Sequence, residues 1–142
     1  MKSTTAMRFV DTNILLYSIS TAPAEAIKAA KAQELLKCRD LVLSVQVLQE
    51  FYVQATRASR PAPLTHAEAM AYIRAWRRFP TQDITLSVLD EALEIKSRYQ
   101  LSYWDSAIIA AAHQAHCVEV ISEDMNDGQS YHGVKVVNLF KS

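Results

Sequence analysis

Residues Met7–Tyr17 read MRFVDTNILLY, and the polar residues inside this run decide how the rest of the chain is read. Phe9 and Val10 have the character of a short buried strand, and the apolar run resumes at once from Ile14 to Tyr17. Asp11 therefore closes a strand, at a position where burial is expected. Either it caps a short helix over Ile14–Ser18, a role that suits Asn13 equally, or it serves chemistry at the rim of a sheet.

Working outward, apolar strand-like segments alternate with helical ones. Leu41–Ser44 reads as a second strand, Asp83–Leu86 as a third, Val118–Ser122 as a fourth and Val134–Val137 as a fifth. Between them, Pro23–Lys37 is rich in helix formers. Val45–Ala58 places Val45, Leu48, Tyr52 and Ala55 on one helical face. The run Thr65–Glu68 is a capping box that opens a helix to about Phe79, and Pro80 stops it. Ser87–Tyr99 is helical, and Leu101–Ala115 holds an almost wholly apolar helix, to be buried on most sides. This alternation implies βαβ units, a parallel sheet and right-handed crossovers. In such sheets ligands bind beyond the carboxyl ends of the strands, where Asp11 and Asp124 fall.

Composition narrows the function classes. The 142 residues suit one domain, expected over residues 7–142 behind a flexible tail of residues 1–6. Half the residues are hydrophobic, and Lys+Arg equal Asp+Glu at 15 each, so net charge argues for no nucleic-acid partner. Cys38 and Cys117 form no CxxC pair and read as reduced thiols of a cytoplasmic protein. The longest apolar run, Ala107–Ala112, has six residues, against the ~20 that a membrane helix needs. Only two glycines occur, Gly128 and Gly133, so no dinucleotide fingerprint is possible. The segment GQSYHGVK has P-loop glycine spacing but carries Val134 in the lysine position, and EDMNDG breaks the pattern of a calcium loop. His113 and His116 lie three apart at a helix end, where dipole contacts are the usual explanation. No cysteine or glutamate stands near them at a standard zinc spacing.

Four carboxylates remain, each with an ordinary reading. Asp11 suits a cap. Glu50 shares a polar helix stripe with Gln46, Gln54 and Arg57. Asp105 completes a Ser102-x-x-Asp105 capping box, yet it also shares a face with Ile108, Ile109 and Ala112. Asp124 suits a turn, as does Asp127 before Gly128. Taken together, the topology can bring several acids to one rim. Two carboxylates about 4 Å apart repel by roughly 4 kcal/mol at an effective dielectric near 20. Either they take up protons or a cation neutralises them. All-oxygen ligation favours Mg²⁺ or Mn²⁺, and a water on such an ion is a nucleophile suited to a phosphodiester.

The blocks FVDTNILLY, SVQVLQEFY, LSYWDSAIIAAA and ISEDMNDGQSY with GVKVVNLF resemble the four motif blocks of PIN-domain ribonucleases, above all the VapC-type toxins of bacterial toxin–antitoxin pairs. The resemblance spans Arg8 to Phe140. It implies a PIN-like three-layer α/β fold, with a central, mainly parallel sheet of about five strands flanked by helices. It implies Mg²⁺- or Mn²⁺-dependent endoribonuclease activity with Asp11, Glu50, Asp105 and Asp124 as the metal-binding catalytic acids. Asn13 and Ser122 match polar positions that support them, and Asp127 is auxiliary. It also implies an RNA substrate, a cognate antitoxin and a homodimer. Arg57 and Arg60 are candidate phosphate contacts. Two other readings stand beside this one. The first is a catalytically silent PIN-like binding module, its acids holding a structural ion or a partner's basic residues. The second is aspartyl-phosphate chemistry, disfavoured because residue 13 is Asn where a second Asp is needed.

Overall fold

The structure is a computed structural model and describes residues 6–141. All but Ala6 of the expected tail lies outside the described residues. Strand β1 (Met7–Val10) ends in two fully buried residues, and β2 (Leu41–Ser44) is buried at every position. Burial on both faces is what a parallel sheet covered by two helical layers requires. The sheet has the order β3-β2-β1-β4-β6-β5, with β3 (Thr81–Gln82), β4 (Cys117–Ile121), β5 (Ser130–Tyr131) and β6 (Val134–Val137). Every pairing is parallel except the β5–β6 hairpin.

The described sheet thus has six strands rather than five. The extra one, β5, is a two-residue antiparallel edge, too short to leave a periodic signal. The third strand is displaced as well, to Thr81–Gln82 rather than Asp83–Leu86. Thr85 accepts from the Val88 N–H and caps α5 (Leu86–Tyr99), which takes Leu86 into the helix. Pro80 leads into β3, and its carbonyl accepts from Leu43 N–H at 2.9 Å. A proline there suits an edge strand, since it lacks a donor for a further neighbour.

The remaining helices are α1 (Thr12–Ser18), α2 (Ala26–Leu35), α3 (Val45–Ala55), α4 (His66–Trp76) and α6 (Tyr103–Gln114). Helix α5 packs on α6, which lies against β3, β4 and β6, while α3 contacts β2, α1 and α4. Ser106 to Ala112 are all buried, so the middle of α6 is enclosed on every side as its sequence demands. The buried face of α3 is Val47, Leu48, Phe51 and Ala55. Val45 and Tyr52 are instead half-buried beside an open apolar groove. The packing of α4 turns the face, because Phe51 stands edge-on to Trp76 with ring centroids 4.6 Å apart. Phe51 is fully buried, so Phe51→Ala is expected to cost about 3–5 kcal/mol, measured as a lower urea midpoint at unchanged m value.

Candidate active site

Strand register brings the first acid and its support together. Val10 pairs with Ile121, so β1 and β4 end level and deliver Asp11 and Ser122 side by side. Asp11 N–H donates to Ile121 O at 3.0 Å, and Ser122 N–H donates to Val137 O at 3.0 Å. The chain then turns sharply at each position. Asp11 is the N-cap of α1, its Oδ1 accepting from Thr12 N–H at 2.7 Å. Its other oxygen accepts from Ser122 Oγ at 2.7 Å. The capping and chemical readings are therefore compatible, since the cap holds one oxygen and the serine orients the other.

A polar network carries this order to Asp124. Ser122 is fully buried, and its Oγ accepts from Asn13 Nδ2 at 3.2 Å and from Asp124 N–H at 3.1 Å. Asn13 Nδ2 also donates to Asp124 Oδ2 at 3.1 Å, and Asn13 Oδ1 accepts from Glu123 N–H at 3.2 Å. Asn13 and Ser122 thus tie α1 to the loop after β4. Glu50 comes from α3. Its two oxygens accept from Gln46 Nε2 and Thr12 Oγ1, both at 2.9 Å. Asp105 stands in the first turn of α6, where Ser102 Oγ accepts its N–H at 3.1 Å. At Thr65–Glu68 the return bond closes the box. At Ser102 the return bond to the cap N–H is not made, and Asp105 lines the cavity.

All four acids line one cavity of about 110 Å³, with Thr12, Asn13, Gln46, Gln54 and Trp104 among its other walls and, among the described residues, no basic side chain. Asp11 is 6% exposed, and desolvation pushes its pKa up to about 6, against the pull of Ser122 and Thr12. The charges of Asp124 and Glu50 add to the rise. The Asp105 carboxyl is shifted upward by burial first, lowered by a hydrogen bond to Ser102, and raised again by Asp124 and Glu50. Four converging oxygen donors without a counter-charge fit a hard divalent cation.

The other expected residues separate. Asp127 does not line the cavity; its Oδ1 accepts from Asn138 N–H at 2.8 Å and pins the loop to the end of β6. Arg60 lines an adjoining cavity of about 270 Å³ together with Asn13, Gln54, Glu123 and Asp124. Arg57 is exposed and lines neither. Thr12 escaped sequence reasoning, because nothing local marks a threonine that bonds to a glutamate 38 residues on. The Gln46–Glu50 pair had a signal, its i,i+4 spacing. Trp104 reads as a core aromatic by context, yet it is 64% exposed at the cavity mouth.

A family model described as PIN domain matches residues 8–126. The chain belongs to the PIN domain family. No curated protein matches this PIN domain at a significant level. Its fold is shared with solved structures of low identity. A toxin–antitoxin complex from Klebsiella pneumoniae has a chain 20% identical with a TM-score of 0.71, covering 97% of this chain and 100% of that one. VapC20 of Mycobacterium tuberculosis, a sarcin–ricin loop cleaving toxin, is 20% identical with a TM-score of 0.65 over 82% of this chain and 91% of its own. DNA-bound VapBC from Salmonella typhimurium has a chain 15% identical with a TM-score of 0.66 over 95% and 99%. Among the described residues, no helix is long and apolar enough to cross a membrane.

Proposed function

We propose that this PIN domain, taken as one unit over residues 7–142, is a divalent-metal-dependent endoribonuclease and the toxin of a toxin–antitoxin pair. The observation that carries the reading is the cavity lined by Asp11, Glu50, Asp105 and Asp124, with no basic side chain among the described residues of its walls. Two structural neighbours, a toxin–antitoxin complex and a toxin that cleaves the sarcin–ricin loop, support the same reading. Bound Mg²⁺ or Mn²⁺ would supply charge neutralisation at the scissile phosphate and acidify coordinated water.

The chain's own residues do the rest. Asp11 and Asp105 present carboxylates from two different elements, one at the sheet rim and one at the start of a rigid helix. Glu50 is oriented by Thr12 and Gln46, and Asp124 by Asn13. Arg60, beside Asp124 in the adjoining cavity, is placed to hold a phosphate of the RNA. Trp104 offers an exposed face for base stacking at the mouth of the cleft. The open groove lined by Val45, Leu48, Tyr52, Val53 and Ile73 suits an apolar segment of the antitoxin. The exposed Ile84, Leu86 and Leu93 suit a second copy of the chain in a homodimer.

The test is an assay on purified chain freed of any partner, with single-stranded RNA and structured RNA. Cleavage in Mn²⁺ or Mg²⁺, abolished by EDTA and leaving 5′-phosphate ends, is expected. No cleavage of either RNA with metal present would leave the silent binding module standing instead. Thr12→Val removes the hydroxyl that orients Glu50 and keeps the side-chain shape. It is expected to lower kcat/KM about 10-fold or more, with little change in the thermal midpoint.

A further inference from the structure

A second donor cluster lies at the other end of α6. Glu91 of α5, His113 of α6 and His132 of the β5–β6 turn each offer one ligand atom, and these three atoms all lie within 4.8 Å of one another. We propose that they form a binding site for a first-row transition metal of the Zn²⁺ class, separate from the acidic cleft. None of the three lines that cleft. His113 lies eight positions after Asp105 on the helix, about 12 Å along the axis.

The donors suit zinc rather than magnesium. Two imidazoles and one carboxylate are a ligand set found at three-residue zinc sites, which keep a fourth position open. Imidazole is a poor ligand for Mg²⁺ and a good one for Zn²⁺. His113 Nδ1 already lies 2.9 Å from both oxygens of Glu91, as a donor to that carboxylate. Tetrahedral ligands at zinc distances stand about 3.3 Å apart, so the pair need open only slightly to admit the ion in place of the shared proton.

The third ligand is held independently. Tyr131 pairs with Val134 across a two-residue turn, and His132 and Gly133 both have positive φ, 53° and 84°. That is a type I′ hairpin turn, where asparagine and glycine are the favoured pair, yet a histidine occupies the first position. Its N–H donates to Tyr99 Oη at 2.9 Å, and Tyr99 packs edge-on to Tyr131 with centroids 5.4 Å apart. The His132 ring meets that of His113 at 4.8 Å and an interplanar angle of 78°. The Glu91 side chain is 14% exposed and that of His113 is 48% exposed, so the site has a supported floor and an open entrance. A bound ion would tie the edge hairpin to both helices.

The test is Zn²⁺ titrated by calorimetry into untagged full-length chain carrying Asp11→Asn, in excess Mg²⁺ to mask the acidic cleft. One equivalent is expected to bind at micromolar or tighter affinity. Binding should weaken at least 10-fold with His113→Ala, with Glu91→Gln, and with His132→Asn, which keeps a residue suited to the turn. Co²⁺ should give the visible absorption of a four-coordinate site in the parent and not in these variants. Zn²⁺ should raise the thermal midpoint of the parent alone, with circular dichroism checking that each variant is folded. The absence of saturable Zn²⁺ binding, or binding that all three variants keep, would overturn the proposal.

Discussion

Asp11→Asn is expected to lower RNA cleavage about 10³-fold while making the metal-free protein more stable at neutral pH. The loss follows from removing the buried anionic ligand of the proposed ion, an interaction of several kcal/mol in the transition state. The gain in stability follows from burial. Desolvation is the largest influence on the Asp11 carboxyl and pushes its pKa up to about 6. Holding it ionised at pH 7.5 therefore costs roughly 3 kcal/mol relative to the unfolded chain. Asparagine is neutral and nearly isosteric, and a weakened bond to Ser122 or Thr12 returns only about 1 kcal/mol of that. Urea titration in EDTA at pH 7.5 should show a net gain of about 1–2 kcal/mol. If Asp11 served only as the cap of α1, the same substitution would leave cleavage intact, since asparagine caps a helix as well as aspartate does. The cleavage readout therefore separates the capping and catalytic roles, and the stability readout tests the cost of burying the charge.

The second large effect links pH to metal. The folded-state pKa of Asp11, about 6, lies above the ordinary value of 3.8. Between these values the folded chain holds a proton that the unfolded chain has released, so stability falls as pH rises. The contribution is fully present below about pH 4 and is lost as pH rises through about 6, roughly 3 kcal/mol in all, of which about half falls between pH 5 and pH 7.5. Asp105 moves in the same direction, burial again leading. Asp40 and Glu68 are shifted downward, Asp40 by its bond to Arg8 and Glu68 by the Thr65 N–H, and they act oppositely. The clean quantity is therefore the difference between wild type and Asp11→Asn, measured in EDTA at pH 5 and pH 7.5. Adding Mg²⁺ at about 100 times its dissociation constant should stabilise wild type by roughly 2.7 kcal/mol at pH 7.5. At pH 5 the effect should be much smaller, because protons compete for the same oxygens. Equal stabilisation at both pH values would place the ion somewhere other than on these acids.

Much of the fold was legible because burial imposes periodicity. Strand β2, buried at all four positions, and α6, buried from Ser106 to Ala112, declare themselves as unbroken apolar runs. They are enclosed by other elements, so no polar face interrupts the pattern. The edges of the sheet were harder to read. Strands β3 and β5 are two residues long each, so their pairing is decided by neighbours rather than by alternation. How deeply each residue of α3 is buried is hidden for a related reason: Val45 and Tyr52 share a helical face with the buried Leu48 and Ala55, but the packing of neighbouring elements leaves them at an open groove.

The sequence by itself determined the alternation of strand and helix, the rim position of Asp11 and Asp124, and the four motif blocks of a PIN domain. Each of these is carried by local composition and chain order. Only the tertiary structure decided which polar residues meet. It closed the Thr12–Glu50 bond across 38 residues and made Ser122 the shared partner of Asp11, Asn13 and Asp124. It sent Asp127 to a loop contact and brought Glu91 and His132 to His113. The physical reason is that hydrogen bonds and ligand sets act over about 3 Å between side chains. Sequence spacing conveys such proximity along one helix face or one strand, whereas these contacts join separate elements whose relative placement is set by sheet order and helix packing.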